Sequence, residues 1–535
     1  MWNARARALA EHTVSGRAEA LMTVPSLPGQ AGSYWMLSTP ETSFPPLRGT
    51  TTADVAVVGA GIAGLSTAWE LSRAGRSVVV LEADRVAAGV TGHTTAKVSA
   101  LHSLVYQNLA RKQGRDAARL YAAAQHDAVE RLASVVEELA IDCDLERAAA
   151  YTYGTDPASR PDIEAEARAA ADAGLPAGYV TTTELPFAKA GAVRLSDQLQ
   201  FHPRKYLLAL VRELTARGVR VFENSRVTKL SEGTPCRVTT EDGSQVVARD
   251  VVVATHYPVF DRALLFARMS PRRELVVAAP IAEHQAPRGM YITEDEGKRS
   301  VRSAPLDPGR RLLVVTGESF TPGTGDPHAS FRELDSWMRE RFPVEATAYR
   351  WAAQDNDPSD TVPLIGAFHP GARHTWVATG FGGWGMTGGV LAGRLLAALV
   401  TGVGEALPWA GLHDPRRLAS TLKQAPTLLR QQAEVAQHFI GDRLKAGPAN
   451  SVEDIPPGRG TVVRVEGRPC AVYRAPDGSL NAVSARCTHL GCLVAFNEAE
   501  VAWECPCHGS RFGVDGKVLH GPAVHPLEKR DPFVE

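Results

Sequence analysis

In Asp54-Val-Ala-Val-Val-Gly59-Ala-Gly61-Ile-Ala-Gly64-Leu-Ser-Thr-Ala68, an apolar run enters a glycine-rich turn and leaves it with helical periodicity. The segment through Val58 reads as a buried strand, Ile62 to Ala74 as a helix stopped by Gly75, and Ser77-Val-Val-Val-Leu81 as a second strand. That is one βαβ unit, with Gly59-x-Gly61-x-x-Gly64 in its first turn and Glu82 closing the second strand, 18 positions after Gly64. The first glycine permits the tight turn, the second lets backbone approach a pyrophosphate, and the third lets helix pack on strand. Free N–H groups at the helix start, at Ile62 and Ala63, face anionic oxygen, and Glu82, followed by Ala83, can accept from both ribose hydroxyls. An acid there repels a 2′-phosphate. The alternative is a glycine turn in an ordinary βα unit with no ligand.

Beyond this unit, helical patterns occupy about 103 to 140 and 203 to 217, and strands stand out at Val219-Arg-Val-Phe222, Asp250-Val-Val-Val-Ala254, Arg311-Leu-Leu-Val-Val315 and Thr375-Trp-Val-Ala-Thr379. The expected organisation has four parts. Residues 1–50, Pro-rich from Pro25 to Pro46, form an extension outside the core. Residues 51–410 form a Rossmann-type α/β domain, with an interleaved α+β substrate part at roughly 145–220 and 260–355. Residues 411–450 form a polar helical linker, and 451–535 a domain of short alternating strands. No period of 20 to 50 residues repeats, which excludes solenoids and propellers.

Composition narrows the class further. The 535 residues are 44% hydrophobic and 22% charged with a net charge of −1, the balance of an ordinary globular protein and without a nucleic-acid footprint. Arg394 interrupts the best apolar run, Val390 to Val403, which is too short to cross roughly 30 Å of hydrocarbon. No membrane span and, by default, a cytoplasmic address are expected. Of seven cysteines, Cys143, Cys236 and Cys470 stand apart and read as reduced core thiols, whereas Cys487, Cys492, Cys505 and Cys507 fall within 21 positions.

Five segments in order carry a resemblance over about 53 to 405. They are the glycine turn, Gly89-Val-Thr-Gly-His-Thr-Thr-Ala-Lys97, Asp250-Val-Val-Val-Ala-Thr255, Asp360-Thr-Val-Pro-Leu-Ile-Gly366 and Ala378-Thr-Gly-Phe-Gly-Gly-Trp-Gly-Met-Thr387. The chain resembles the FAD-dependent oxidoreductases of the D-amino-acid oxidase and glycine oxidase family. The resemblance implies that the second segment, with Thr94 and Thr95, runs beside the flavin, that Val227 closes the adenosine side, and that Gly380, Gly382, Gly383, Met386 and Thr387 face the pyrimidine end of the ring. It also proposes Lys97, Arg302 and Trp384 as catalytic candidates, Arg302 as a carboxylate binder, against ordinary surface roles. His93 could carry FAD covalently, as a histidine does in some relatives, or be solvent-exposed. Gly380-x-Gly382-x-x-Gly385 also fits a nucleotide motif, but Phe381 and Trp384 fill the turn and no acid-terminated strand follows, so an NAD(P)H site is not expected.

In the last part, Cys487-x-His489 and Cys505-x-x-His508 are separated by 15 residues, each pair extended by a further cysteine. Two thiolates and two imidazoles on two loops suit a [2Fe–2S] cluster with sulfur on one iron and nitrogen on the other; a Cys₂His₂ zinc site is the alternative. These segments resemble the Rieske proteins over about 450 to 535. By that resemblance Cys487, His489, Cys505 and His508 are the ligands, Cys492 and Cys507 form a disulfide, and Gly521-Pro-Ala523 is the loop covering the cluster. Ser510 then matches a donor to a bridging sulfide, and Phe512 replaces the tyrosine of high-potential members, which lowers the expected potential. No Asp/Glu-x-x-His-x-x-x-x-His arrangement supports the mononuclear iron of a ring-hydroxylating oxygenase.

A flavin takes two electrons as a hydride and the cluster takes them singly, so one chain with both is a two-to-one converter. The function expected is FAD-dependent oxidation of a C–N bond in a small amine or amino acid, electrons passing from FAD to the Rieske cluster and on to an unidentified acceptor. Two alternatives are open: a flavin catalyst that reduces its substrate with electrons fed through the cluster, and a redox sensor or scaffold.

Overall fold

The computed structural model describes residues 26–293, 295, 297–403, 407–417 and 451–532. The glycine turn sits at the centre of a doubly wound sheet whose parallel strands run in the order Thr375–Thr379, Gln245–Val253, Thr50–Val58, Val78–Leu81 and Arg220–Phe222. Leu364–Ala367 adds an antiparallel edge. Val55 to Val58 pair in register with Val78 to Leu81 and are buried on both faces, which is why the sequence runs apolar without alternation. Helices Ile62–Arg73 and Gly385–Thr401 pack against one another through small residues. A Cβ at Gly393 would lie 2.7 Å from the Ser66 backbone, and one at Gly389 2.6 Å from the Ile62 side chain. Only glycine permits that approach, which brings the start of the second helix to the same cleft as the first.

A second, 10-stranded sheet, largely antiparallel, is built from Gln30–Ala31 and nine strands between Lys97 and Pro358, including Met269–Ala282, Arg310–Phe320 and Tyr349–Pro358. Its inner residues, among them Val276, Ala278 and Val314, are buried in the same core as the first sheet, and Val276 and Thr316 reach the cleft wall. The helical pattern near 103–140 resolves into Val105–Gln113 and Arg115–Glu138, broken at Gly114, whose φ of +100° no helix can accommodate.

The extension expected outside the core is, for residues 26–50, sewn into it. Gln30–Ala31 pairs with Tyr349–Arg350, and helix Tyr34–Leu37 buries Trp35 to 1% exposure, its indole N–H donating to the Thr94 carbonyl at 2.6 Å. A pair of aromatics inside a polar, Pro-rich stretch has no periodicity to announce it. Most of the expected linker, 418–450, lies outside the described residues, as do 1–25. Before it, helix Ala410–His413 leads to Arg417, pinned on the buried Asp360 at 2.7 Å. Among the described residues no helix is long and apolar enough to cross a membrane.

The last described segment forms a three-stranded sheet (Arg459–Val465, Arg468–Arg474, Leu480–Ser484) and a four-stranded one (Ala495–Asn497, Ala502–Glu504, Arg511–Gly513, Val518–His520) around a core that contains Trp503, Phe512 and four cysteines. It docks on the second sheet through a buried ion cluster. Arg273, on strand Met269–Ala282 and 1% exposed, pairs with Glu500 and, at 3.3 Å, with Glu504, itself 1% exposed. Arg511 at 3.1 Å, the Asn497 amide at 3.0 Å and the Gly323 N–H at 2.9 Å complete the shell around Glu504. Buried charges are tolerated only when so fully partnered, so the cluster fixes the position of the domain more than it adds net stability.

Candidate flavin and iron–sulfur sites

One cleft, with about 1660 Å³ of atom-free space including its open mouth, runs between the two sheets. The glycine turn lines it through Gly59, Gly61, Ile62 and Ala63, and the end of the second strand through Glu82 and Ala83. Val227, Thr94, Thr95, Gly383 and Met386 also belong to its wall. A Cβ at Gly59, where φ is +106°, would stand 2.4 Å from the Ala254 carbonyl, and one at Gly64 1.9 Å from the Gly59 carbonyl. These glycines are obligatory. Glu82 also braces the turn, its carboxylate accepting from the Ala60 N–H at 2.8 Å and the Asp84 N–H at 3.0 Å, while burial pushes its pKa up. A cradle that no side chain can occupy, ending at an acid on one side and a helix N-terminus on the other, fits an extended dinucleotide.

Several expected contacts lie elsewhere. Gly64, Gly380, Gly382 and Thr387 do not border the cleft. Gly380 and Gly382 have φ of +69° and +59° and shape the turn before the last helix, and the Thr387 hydroxyl is spent on the backbone of Ser99, at 2.9 and 3.0 Å. Arg302, expected as a carboxylate binder, stands outside the cleft lining. It is 1% exposed, and its guanidinium donates to the carbonyls of Thr95 at 3.0 Å and Ala96 at 2.7 Å, holding the flavin segment from behind. A strand-borne arginine reads the same in sequence whether it points to a ligand or to the core. His93 is tied back to Gly89 at 2.9 Å and stands outside the cleft lining.

Lys97 and Trp384 do come together. The ammonium group lies 5.6 Å from the Trp384 ring centroid and donates to Ser300, while the indole stacks on His102 at 4.2 Å. Burial, with Arg302 nearby, pulls the Lys97 pKa down to about 7. A lysine so placed is half neutral at physiological pH and can accept a proton. Trp384 lies between Gly383 and Gly385 of the cleft wall, and neither Lys97 nor Trp384 is itself in the lining.

The sequence reading missed Arg272, Glu274, Gln354, Asp355 and His256, all in the cleft wall. Arg272 is held by Glu274 and by Asp357 at 2.8 Å, and burial raises the pKa of Asp355. Their one local signal is charge inside otherwise apolar strands, at Arg272-Arg273-Glu274 and Asp355-Asn-Asp357.

At the other centre, the loops Cys487–Cys492 and Cys505–Ser510 close on themselves alike. The Cys487 N–H bonds the Cys492 carbonyl at 2.8 Å, and the Cys505 N–H bonds that of Ser510 at 2.8 Å. A disulfide between Cys492 and Cys507 ties the loops. Removing those two thiols leaves two cysteines and two histidines: Cys487 and Cys505 are buried free thiols, and the rings of His489 and His508 lie 4.9 Å apart. Both ring nitrogens of His508, 2% exposed, are buried without a hydrogen-bond partner, and burial lowers its pKa to about 4. A neutral, orphaned imidazole beside two free thiols fits a metal ligand, and a donor set of two cysteines and two histidines suits a [2Fe–2S] cluster. Ser510 is buried and accepts from the Ala523 N–H at 3.0 Å, which seats the Gly521-Pro-Ala523 loop on the cluster side.

The two centres touch. Leu519, His520, Gly521 and Val524 line the flavin cleft, and Gln354, also in that lining, donates to the Gly509 carbonyl at 2.9 Å, one residue from His508. Asp261, Tyr257 and Phe266 of the large domain cover the histidine edge, with Asp261 3.6 Å from His489 and the two rings 6.2 and 5.8 Å from His508.

Comparison with known proteins agrees with this geometry. A family model described as FAD dependent oxidoreductase matches residues 54–399, and one described as Rieske [2Fe-2S] domain matches 446–531. The Rieske 2Fe-2S iron-sulfur protein YhfW of Bacillus subtilis (strain 168) is 34% identical over 504 residues, covering 93% of this chain and 97% of its own. The gamma-glutamylputrescine oxidoreductase of Escherichia coli (strain K12) is 26% identical over 377 residues, 68% of this chain and 87% of its own. In fold, the chain is similar to glycine oxidase from Geobacillus kaustophilus, with a TM-score of 0.57 at 19% identity over 68% of this chain and 99% of that one. L-proline dehydrogenase from P.horikoshii gives 0.58 at 18% identity over 70% and 99%. The chain therefore belongs to the FAD dependent oxidoreductase family of D-amino-acid oxidase type, carries a Rieske [2Fe–2S] domain on the same polypeptide, and takes FAD and the cluster as its cofactors.

Proposed function

We propose that the protein oxidises a C–N bond of a small amine or amino acid and delivers the electrons from FAD to the Rieske cluster within one chain. The observation that carries this reading is Gln354, which lines the flavin cleft and hydrogen-bonds Gly509 beside the ligand His508. FAD, when bound, supplies a two-electron acceptor for the C–H bond next to nitrogen, and the cluster a one-electron one.

The chain's own residues do the rest. Lys97, with its pKa drawn to about 7, takes the proton that an ammonium substrate must lose before its nitrogen lone pair can assist C–H cleavage. Trp384, half-buried under it, presents a flat face that orients the substrate and keeps water from the ammonium. Cys487, His489, Cys505 and His508 hold the cluster, and the large domain's Tyr257 and Phe266 exclude water from its histidine edge. The relative's printed name, gamma-glutamylputrescine oxidoreductase, supports a substrate with an amine.

Anaerobic mixing with a panel containing glycine, L-proline and γ-glutamylputrescine tests the scheme. Flavin bleaching followed by a reduced-cluster EPR signal is expected. Cys505→Ser should keep the bleaching and abolish that signal. If a folded Cys505→Ser protein no longer bleaches, or if the wild type bleaches only with a reductase, the order of electron flow is wrong.

A further inference from the structure

His256 and His520 come from different domains and meet in the wall of the flavin cleft, ring centroids 5.3 Å apart. The Nε2 atom of each is buried and lacks a hydrogen-bond partner. Buried polar atoms are almost always satisfied, and two unsatisfied nitrogens side by side in a cavity wall mark a place where a ligand supplies the missing partner.

Their positions identify the part of the ligand they meet. His256 lies two residues after Ala254, whose carbonyl closes on Gly59, so it stands beside the turn that cradles the pyrophosphate. Its φ is +64°, a left-handed conformation that non-glycine residues seldom adopt, and Thr379 fixes it by donating to the His256 carbonyl at 2.5 Å. His520 ends strand Val518–His520 opposite Arg511 and leads directly into the Gly521-Pro-Ala523 loop that Ser510 anchors. Titratable groups face both rings: Asp355 acts on His256, and His256, Arg511, Arg273 and His93 act on His520. Burial keeps both below the ordinary histidine range, so each is a neutral ring with one N–H donor and one acceptor. Such a group suits a phosphate oxygen or a sugar-alcohol hydroxyl and needs no counterion.

We propose that His256 and His520 hold the pyrophosphate–ribityl stretch of FAD through their Nε2 atoms, so that the cluster domain completes the flavin site. The inference rests on the dinucleotide cleft and is independent of the direction of electron flow. Because FAD then binds two domains at once, its binding and the docking of residues 518–524 are thermodynamically linked, each strengthening the other.

The test uses full-length, iron-replete protein stripped of FAD and titrated with FAD by flavin fluorescence. His520→Leu and His256→Leu should each weaken FAD about tenfold, or about 1.4 kcal/mol, with the reduced-cluster EPR signal unchanged. His520→Gln, which keeps a donor and an acceptor, should restore most of the affinity. In the unaltered protein, FAD should slow hydrogen exchange in 518–524. FAD affinity within twofold of wild type in His520→Leu with an intact EPR signal overturns the proposal. Should that variant lose its cluster, unchanged exchange in 518–524 on adding FAD to the unaltered protein overturns it equally. Loss of the amine reaction with FAD affinity and exchange as expected would instead count against the substrate reading alone.

Discussion

Lys97 links the buried architecture to the chemistry most directly, and its titration gives a quantitative expectation. With a pKa near 7, about a tenth of the side chain is neutral at pH 6 and about nine-tenths at pH 8. Amine-dependent flavin bleaching, measured by anaerobic stopped flow below saturation, should therefore rise about tenfold over that interval. The rise from the substrate's own ammonium group moves with the substrate's pKa across a panel; the lysine limb does not. Lys97→Met should remove the fixed limb, and Lys97→Arg, cationic throughout, should be slow at every pH. Folding carries the opposite mark of the same burial. An unfolded lysine titrates near 10.4, so between about pH 7 and 10.4 the unfolded chain binds the extra proton and stability rises with pH, by at most about 1.4 kcal/mol per unit. Below pH 7 both states are protonated and the slope vanishes. Lys97→Met should flatten that part of the melting-temperature profile. If the fixed limb survives in folded Lys97→Met, the lysine is not the base and the proton leaves by another route.

Arg273→Met removes one side of the ion cluster between the domains. Glu504 keeps Arg511, Asn497 and the Gly323 N–H, so the loss should fall near the low end of the range for breaking a buried pair, about 3 kcal/mol. A thermal melt followed by cluster absorbance should show the cluster lost in a separate, earlier transition, insensitive to salt and resolved as its own peak by calorimetry; a single unchanged transition contradicts the docking role. Gly64→Ala places a Cβ 1.9 Å from the Gly59 carbonyl and forces helix from turn. At least about a tenfold loss of FAD affinity is expected, read from the flavin absorbance of purified protein, and full retention would show that the turn is not the cradle.

The legible parts of the molecule are those whose determinants sit within a few residues of one another. The glycine turn is legible because three glycines, a strand and an acid must occur at fixed spacing for the backbone to close, and steric contact at Gly59 and Gly64 leaves no substitute. The two Cys/His loops are legible because each supplies a cysteine and a histidine and closes on its own hydrogen bonds. Arg302 shows the limit: position on a strand was readable, direction was not, and the core claimed it. Trp35 shows another, since its partner Thr94 lies 59 residues away and no local periodicity connects them.

What joins the two centres was invisible for a deeper reason. Arg273 meets Glu500 across 227 positions, Gln354 meets Gly509 across 155, and His256 meets His520 only in space. Each is one residue on a short strand or loop end, so no motif can form around it. Yet these are the contacts that distinguish one enzyme from two domains sharing a tether. The same sequence with Arg273, Gln354 and His520 replaced would still carry both motifs in full. It would read identically, while its cluster no longer shared a wall with the flavin. Motifs therefore report which cofactors a chain can bind, and the unremarkable polar residues between them determine how the two sites sit against one another.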